Sequence, residues 1–317
     1  MIAGKSLHSV LITGSAHPVL ARSLEVAGYV VDQRPTITQE EAEACIENYT
    51  GLILTTRIKA DEALLQKAVN LKWIGRLGSG MELIDTAFAT QQGIICESSP
   101  EGNRLSVAEH VLGMILGLNH KIAVADLEVR KRHWRREQNR ATELSGKTVG
   151  IIGYGNTGSE LARLLVPFNV NLLVYDRFKS GFGNEFVHES TLEAIQQQAE
   201  IISFHVPLTE LTTNMVDTAF LNTLQRQPLL VNTSRGAIIQ LEDLIAALEQ
   251  EKLRGVALDV LPNEDLSSYT PLENEQLERL TRKDNVLLTP HIAGYSYEAF
   301  ERMSTVLLEK LGIKAVF

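Results

Sequence analysis

Short apolar runs recur through the first hundred residues, at 9–12, 52–55, 73–75 and 94–96, with polar, helix-like stretches between them. Runs this short predict strands buried in a parallel sheet, and their alternation with helical segments predicts a small α/β domain. A helix is predicted from near Arg104, where Val107, Val111, Ile115 and Leu118 fall at or close to helical spacing and leave one face apolar. A second α/β rhythm follows, with strands near 148–152, 171–175, 201–204, 229–232 and 255–258, and a helix marked by Leu241, Leu244, Ile245 and Leu248. The final stretch, 297–311, reads as a helix able to pack back on the first domain.

The strand at 148–152 runs into Gly153, Tyr154, Gly155, Asn156, Thr157 and Gly158, and a helical segment follows. A GxGxxG alone is weak evidence, but between a strand and a helix it fits a dinucleotide turn. The first glycine permits the tight turn, the second lets a pyrophosphate approach the backbone, and the third lets helix pack on strand. Asp176 ends the next strand, 18 residues after Gly158, where a carboxylate accepts hydrogen bonds from the adenosine ribose and repels a 2′-phosphate. That favours NAD. Arg177 pulls the other way, since an arginine there can pair with a 2′-phosphate; otherwise it is a solvated surface charge.

Three polar residues far apart fit one reaction. Arg235 lies in Asn-Thr-Ser-Arg-Gly at 232–236, Glu264 in a loop after Ala-Leu-Asp-Val at 257–260, and His291 in Thr-Pro-His at 289–291. Removing a hydride from a hydroxy acid requires a cation for the substrate carboxylate, an imidazole for the hydroxyl proton and a carboxylate to orient the imidazole. Singly, each has a plainer explanation: a strand-end charge, a solvated carboxylate and a satisfied buried histidine. His205, at a strand end, reads as structural or cofactor-adjacent, and Ser79 and Gly80 as a turn or an anion nest.

At 317 residues, two domains are the natural expectation. A net charge of −9 disfavours nucleic acid and anionic membranes as partners, and means an anionic substrate needs a locally positive site. Cys45 and Cys96 are the only cysteines, far apart and without metal-ligand spacing, so a reducing compartment, the cytoplasm, is expected and no metal. Residues 1–15 contain no long apolar core, so no signal peptide is expected. Trp134 sits in the basic run 130–136, where a bare indole is costly unless something covers it.

On the glycine fingerprint with Asp176, and on His205-Val-Pro-Leu-Thr209, Val231-Asn-Thr-Ser-Arg-Gly236, Gly255-Val-Ala-Leu-Asp-Val260 and Thr289-Pro-His-Ile-Ala-Gly294, the chain resembles the D-isomer-specific 2-hydroxy acid dehydrogenases over nearly its whole length. The resemblance implies a Rossmann-type nucleotide domain, 104–292, inserted into a smaller flavodoxin-like α/β substrate domain, 1–103 and 293–317. It implies Arg235, Glu264 and His291 as the catalytic set. It also implies NAD contacts from the fingerprint, Asp176, Arg177, His205, Val206, Pro207, Thr212, Thr233, Ser234, Asp259 (on the nicotinamide carboxamide) and Gly294. Arg57, Arg76, Ser79 and Gly80 join Arg235 and His291 as substrate contacts. Asp265 follows Glu264 where the family often has proline, with Pro262 earlier. A symmetric homodimer is implied, with the Trp134 segment at the interface. Within the family the phosphoglycerate dehydrogenases are the nearest in flavour. Erythronate-4-phosphate, glycerate and simple 2-oxo acid reductases remain alternatives, as does an NAD-sensing co-repressor that binds partner peptides.

Overall fold

A computed structural model describes residues 8–317; the first seven residues, and with them the start of the stretch read for a leader, lie outside the described residues. In chain order the elements begin with β1 (Ser9–Ile12), α1 (Pro18–Val26), β2 (Val30–Gln33), α2 (Gln39–Cys45), β3 (Gly51–Leu54), α3 (Glu62–Lys67), β4 (Trp73–Arg76), α4 (Thr86–Gln91) and β5 (Ile95–Ser98). Then come α5 (Pro100–Asn119), α6 (Ile122–Arg130), β6 (Thr148–Ile152), α7 (Asn156–Leu165), β7 (Asn171–Tyr175), β8 (Val187–Glu189), α8 (Leu192–Gln198) and β9 (Ile201–Phe204). The chain ends with α9 (Thr218–Asn222), β10 (Leu229–Asn232), α10 (Leu241–Glu249), β11 (Gly255–Leu258), α11 (Pro271–Thr281), β12 (Val286–Leu288) and α12 (Tyr297–Lys310).

Two compact units divide the chain, one running through Arg104 and resuming at Gly294–Phe317, the other Leu105–Ala293. The first is a five-stranded parallel sheet in the order β2-β1-β3-β4-β5, the flavodoxin-like arrangement. Its strands bury alternate residues on opposite faces, as a period of two demands. Leu11, Leu52 and Leu54 enter one apolar cluster, whereas Val10, Ile12 and Ile53 enter the other. The second cluster also takes Met303, Leu307 and Leu308 from α12. That helix can lie close because β4 offers Gly75 there: a Cβ on Gly75 would fall 2.7 Å from Leu307 Cδ2.

The second unit is a seven-stranded, all-parallel sheet, β12-β11-β10-β9-β6-β7-β8, with helices covering both faces. Chain direction across the sheet reverses between β6 and β9, the position where ligands bind in folds of this type. Its central strands are buried at every position but Thr148, at the start of β6, which explains why they read as largely apolar runs rather than alternating ones.

Three strands escaped the sequence reading. β2 is half-exposed, while β8 and β12 are three residues each; all three lie on sheet edges, where burial writes little into the sequence. The helix predicted from near Arg104 starts four residues earlier, at Pro100. Ser99-Pro100 was the missed signal, because proline suits a first helical position where its absent N–H is not needed. Among the described residues no helix is long and apolar enough to cross a membrane. α6 buries none of its residues, and Trp134, in the loop after it, is 83 % exposed, so the indole is not packed within its own chain.

Candidate active site

Within the second unit, the loops after β6, β7, β9, β10, β11 and β12 leave one edge of the parallel sheet, and the expected chemistry lies in them. Gly153 has φ +99°, and a Cβ there would meet the His205 carbonyl at 2.4 Å; a Cβ on Gly158 would meet the Gly153 carbonyl at 2.0 Å. Both positions therefore require glycine. Nothing lies within 4 Å of the space a Cβ on Gly155 would fill, and Gly155 gives α7 no side-chain cap. An uncapped helix start beside open space suits an anion such as a pyrophosphate.

Asp176 does more than the sequence suggests. One carboxylate oxygen accepts the Tyr154 N–H at 2.8 Å, the other those of Phe178 and Lys179 at 2.9 and 3.0 Å. Lys179 Nζ returns to the Tyr154 carbonyl at 2.7 Å, and Phe182 stacks on Tyr154 with centroids 4.5 Å apart. A carboxylate offers roughly four acceptor sites, so three are committed to fastening this loop and one remains for a ribose hydroxyl. Arg177 is exposed.

His205 is buried, with Nε2 on Ser203 Oγ at 2.9 Å and Nδ1 on Thr157 Oγ1 at 3.0 Å. Burial lowers its pKa to about 4, so the ring is neutral. With both nitrogens engaged, it braces β9 against the start of α7 and has no polar group left for a cofactor. Thr212 likewise closes its own turn, donating to the Pro207 carbonyl at 2.6 Å and accepting from Thr209 N at 2.8 Å. Val206 lies against Gly153. Thr233 differs: its Oγ1 is buried without a hydrogen-bond partner. A buried orphan hydroxyl at the same end of the sheet as an uncapped helix start fits a polar dinucleotide.

The Arg235 loop is tied by Asn232, a buried residue absent from the predicted set. Asn232 accepts from Ser234 N at 3.0 Å and donates to the Arg235 carbonyl at 2.9 Å, while Ser234 Oγ donates to Phe204 O at 2.6 Å. Arg235 is half-buried, its guanidinium donating to Ser234 O at 2.7 Å. Glu264 and His291 meet directly, Oε2 to Nδ1 at 2.8 Å, both about half exposed. Asp265, in place of proline, caps the turn after Glu264 through Ser267 and leaves that contact intact. His291 has φ +55°, a region that non-glycine residues enter only when held there.

Asp259 supplies much of that hold. Its carbonyl accepts the His291 N–H at 2.8 Å, and its carboxylate accepts the N–H groups of Ile292 and Ala293 at 2.9 and 2.8 Å and the Thr289 hydroxyl at 2.6 Å. The side chain is fully buried, so the carboxylate expected on a carboxamide is occupied by its own chain.

In the first unit, Ser79 and Gly80 follow β4. Ser79 Oγ donates to Asn103 Oδ1 at 3.1 Å, and Gly78 is pinned by Ser99, N to Oγ at 3.1 Å and O to N at 2.9 Å. Arg76, expected as a substrate contact, is buried; its guanidinium folds under the loop onto Leu77 O rather than reaching outward. Arg57 is exposed after β3. Gly294 leaves no room for a Cβ, which would meet Asn103 Nδ2 at 2.7 Å.

Comparison with known proteins agrees with this geometry. Residues 112–293 match the D-isomer specific 2-hydroxyacid dehydrogenase, NAD binding domain. The D-3-phosphoglycerate dehydrogenase of Synechocystis sp. is 32% identical over 283 residues, 89% of this chain and 50% of that protein. That of Bacillus subtilis is 34% identical over 261 residues, 82% of this chain and 48% of that protein. The chain thus spans about half the length of these curated relatives. Among solved structures, a D-lactate dehydrogenase from Aquifex aeolicus, complexed with NAD and lactic acid, superposes with a TM-score of 0.85 at 27% identity, covering 96% of this chain and 95% of that one. The chain belongs to the D-isomer specific 2-hydroxyacid dehydrogenase family.

Proposed function

We propose that the protein is an NAD-dependent oxidoreductase that interconverts a D-2-hydroxy acid and its 2-oxo acid. The observation that carries this is the Glu264–His291 contact of 2.8 Å, on the same sheet edge as the glycine loop. With Nδ1–H donating to Glu264, the neutral imidazole keeps its lone pair on Nε2, ready to take the hydroxyl proton as the carbinol carbon is oxidised. In reduction the imidazolium returns that proton to the carbonyl oxygen. Arg235 pairs with the substrate carboxylate and polarises the reacting oxygen. Ser79 and Gly80 backbone N–H groups and Arg57 complete the substrate contacts. The nicotinamide cofactor, held by the glycine loop, Asp176 and Thr233, would supply the hydride acceptor.

The substrate we assign is a phosphorylated three-carbon acid of the 3-phosphoglycerate type, on the strength of the phosphoglycerate dehydrogenases among the relatives. We further place the protein in the cytoplasm, as a homodimer with the Trp134 segment and α6 at the interface. Two unpaired cysteines, an indole 83 % exposed and a helix with no buried residue support this. The test is a panel of 2-oxo acids with NADH: 3-phosphohydroxypyruvate, hydroxypyruvate, glyoxylate and pyruvate. Fastest oxidation of NADH with the phosphorylated acid is expected. No turnover of any 2-oxo acid with NADH or NADPH sinks the proposal.

A further inference from the structure

His110 lies on α5, half-buried, and plays no part in the chemistry described above. Its Nε2 is 3.0 Å from Thr289 Oγ1 and 3.6 Å from Asp259 Oδ1. The direction of the bonds follows from counting hydrogens. Thr289 has one hydroxyl hydrogen and gives it to Asp259 Oδ1 at 2.6 Å, since a carboxylate can only accept. Thr289 Oγ1 must then accept from His110, so the ring carries hydrogen on Nε2. The result is a directed chain, His110 Nε2–H to Thr289 Oγ1–H to the buried Asp259 carboxylate, in surroundings where successive hydrogen bonds reinforce one another.

The other acceptor sites of Asp259 receive Ile292 N and Ala293 N, and its backbone carbonyl receives His291 N. The same α5 fastens the far side of this turn: Ser106 Oγ donates to Ala293 O at 2.7 Å. Held from both sides, residues 291–293 keep His291 at φ +55° with Nδ1 on Glu264. We infer that His110 is a positioning residue: acting through Thr289 and Asp259, it holds the turn that aims the His291 imidazole.

For its kinetic arm this inference rests on the dehydrogenase reading; a spectroscopic arm does not. His110→Leu and Thr289→Val each cut the chain at a different link, whereas His110→Gln keeps a side-chain N–H donor. Displacing a reacting group by an ångström costs on the order of 10²-fold in rate. We therefore expect His110→Leu and Thr289→Val each to lower kcat by about 10- to 100-fold, with NADH affinity within about twofold of wild type. His110→Gln should recover most of the loss, and the double variant should be no worse than either single. Independently of turnover, the ¹⁵N–¹H signal of His291 Nδ1 should show a protected, hydrogen-bonded proton in wild type and His110→Gln and lose it in the two cut variants. Wild-type kcat with an unchanged His291 signal in folded His110→Leu would overturn the inference, as would single-variant losses that multiply in the double. If the wild type reduces no 2-oxo acid, the proposed activity fails alone, and the His291 signal still decides the role of His110.

Discussion

Gly236 lies so close to Leu261 that a Cβ on the glycine would fall 2.0 Å from the Leu261 carbonyl carbon. The loop carrying Arg235 is thereby laid against the loop carrying Glu264. Gly236→Ala should force the two apart, costing roughly 1–3 kcal/mol of stability by overpacking and about 100-fold in kcat through misalignment. Urea unfolding and steady-state kinetics on the same preparation separate the two effects. A folded variant with wild-type kcat would show that the loops move independently.

The Glu264–His291 pair predicts a split between chemistry and binding. His291→Asn should lower kcat by roughly 10²–10⁴-fold, the usual span for a lost general acid–base, with NADH affinity nearly unchanged. Glu264→Gln should fall in the same direction by less, because the imidazole survives without its orienting charge. Kinetics and NADH fluorescence titration measure both, and a Glu264→Gln enzyme indistinguishable from wild type removes that glutamate from the mechanism.

Asp176 fastens the 177–179 turn to the glycine loop while keeping one acceptor site for a ribose hydroxyl. Asp176→Ala should therefore weaken NAD binding and narrow the preference over NADP, since it removes both a ribose acceptor and a repulsive charge. Asp176→Asn, which retains carbonyl acceptance, should relax the preference with a smaller loss of NAD affinity. The ratio of kcat/KM for the two cofactors checks this; a wild type that already prefers NADPH would mean that Arg177 outweighs Asp176.

His205 gives a pH prediction. Burial lowers its pKa to about 4 in the folded chain, from an ordinary 6.5. Between those values the unfolded chain binds the proton and the folded chain does not, so this residue's contribution to stability falls as pH drops from about 6.5 to about 4. At about 1.4 kcal/mol per pH unit the loss reaches at most about 3.5 kcal/mol. His205→Gln should flatten that part of a plot of Tm against pH, and an unchanged slope would place the acid sensitivity elsewhere.

Trp134 predicts association. Wild-type protein should scatter light as a dimer or a multiple of one, and Trp134→Ala should weaken it or raise KM for the acid while sparing NADH affinity. Arg and Trp dominate interface energetics more than most residue types, so one truncation suffices to see it. A fully active monomer ends the interface reading.

The sequence disclosed what burial and spacing write locally. The central strand Thr148–Ile152 was read with its bounds because residues 149–152 are buried and carry no polar side chain, and the glycine turn was read because close backbone approach admits only glycine. Arg235, Glu264 and His291 were legible as residue types suited to one reaction. Edge strands such as Val187–Glu189 were not, having only one short buried position. The bracing of His205, the inward fold of Arg76 and the chain from His110 to Asp259 were also invisible. The first and last depend on which distant side chain arrives beside them, and no periodicity encodes a partner 48, 149 or 179 residues away; the turn of Arg76 onto its neighbour's carbonyl depends on how the loop after β4 folds over it.

The helix α12 that covers Gly75 is made after every strand of both sheets. Residues 105–293 leave the ribosome before any of Gly294–Phe317, and units complete in themselves can close as they emerge. The first sheet cannot. Its strands are made before the second unit, yet one face waits uncovered for about two hundred further residues before Leu307 arrives. The nascent chain therefore carries an exposed apolar sheet face while the whole second unit is made, and mutations in α12 should be felt as poor yield of folded protein more than as altered catalysis.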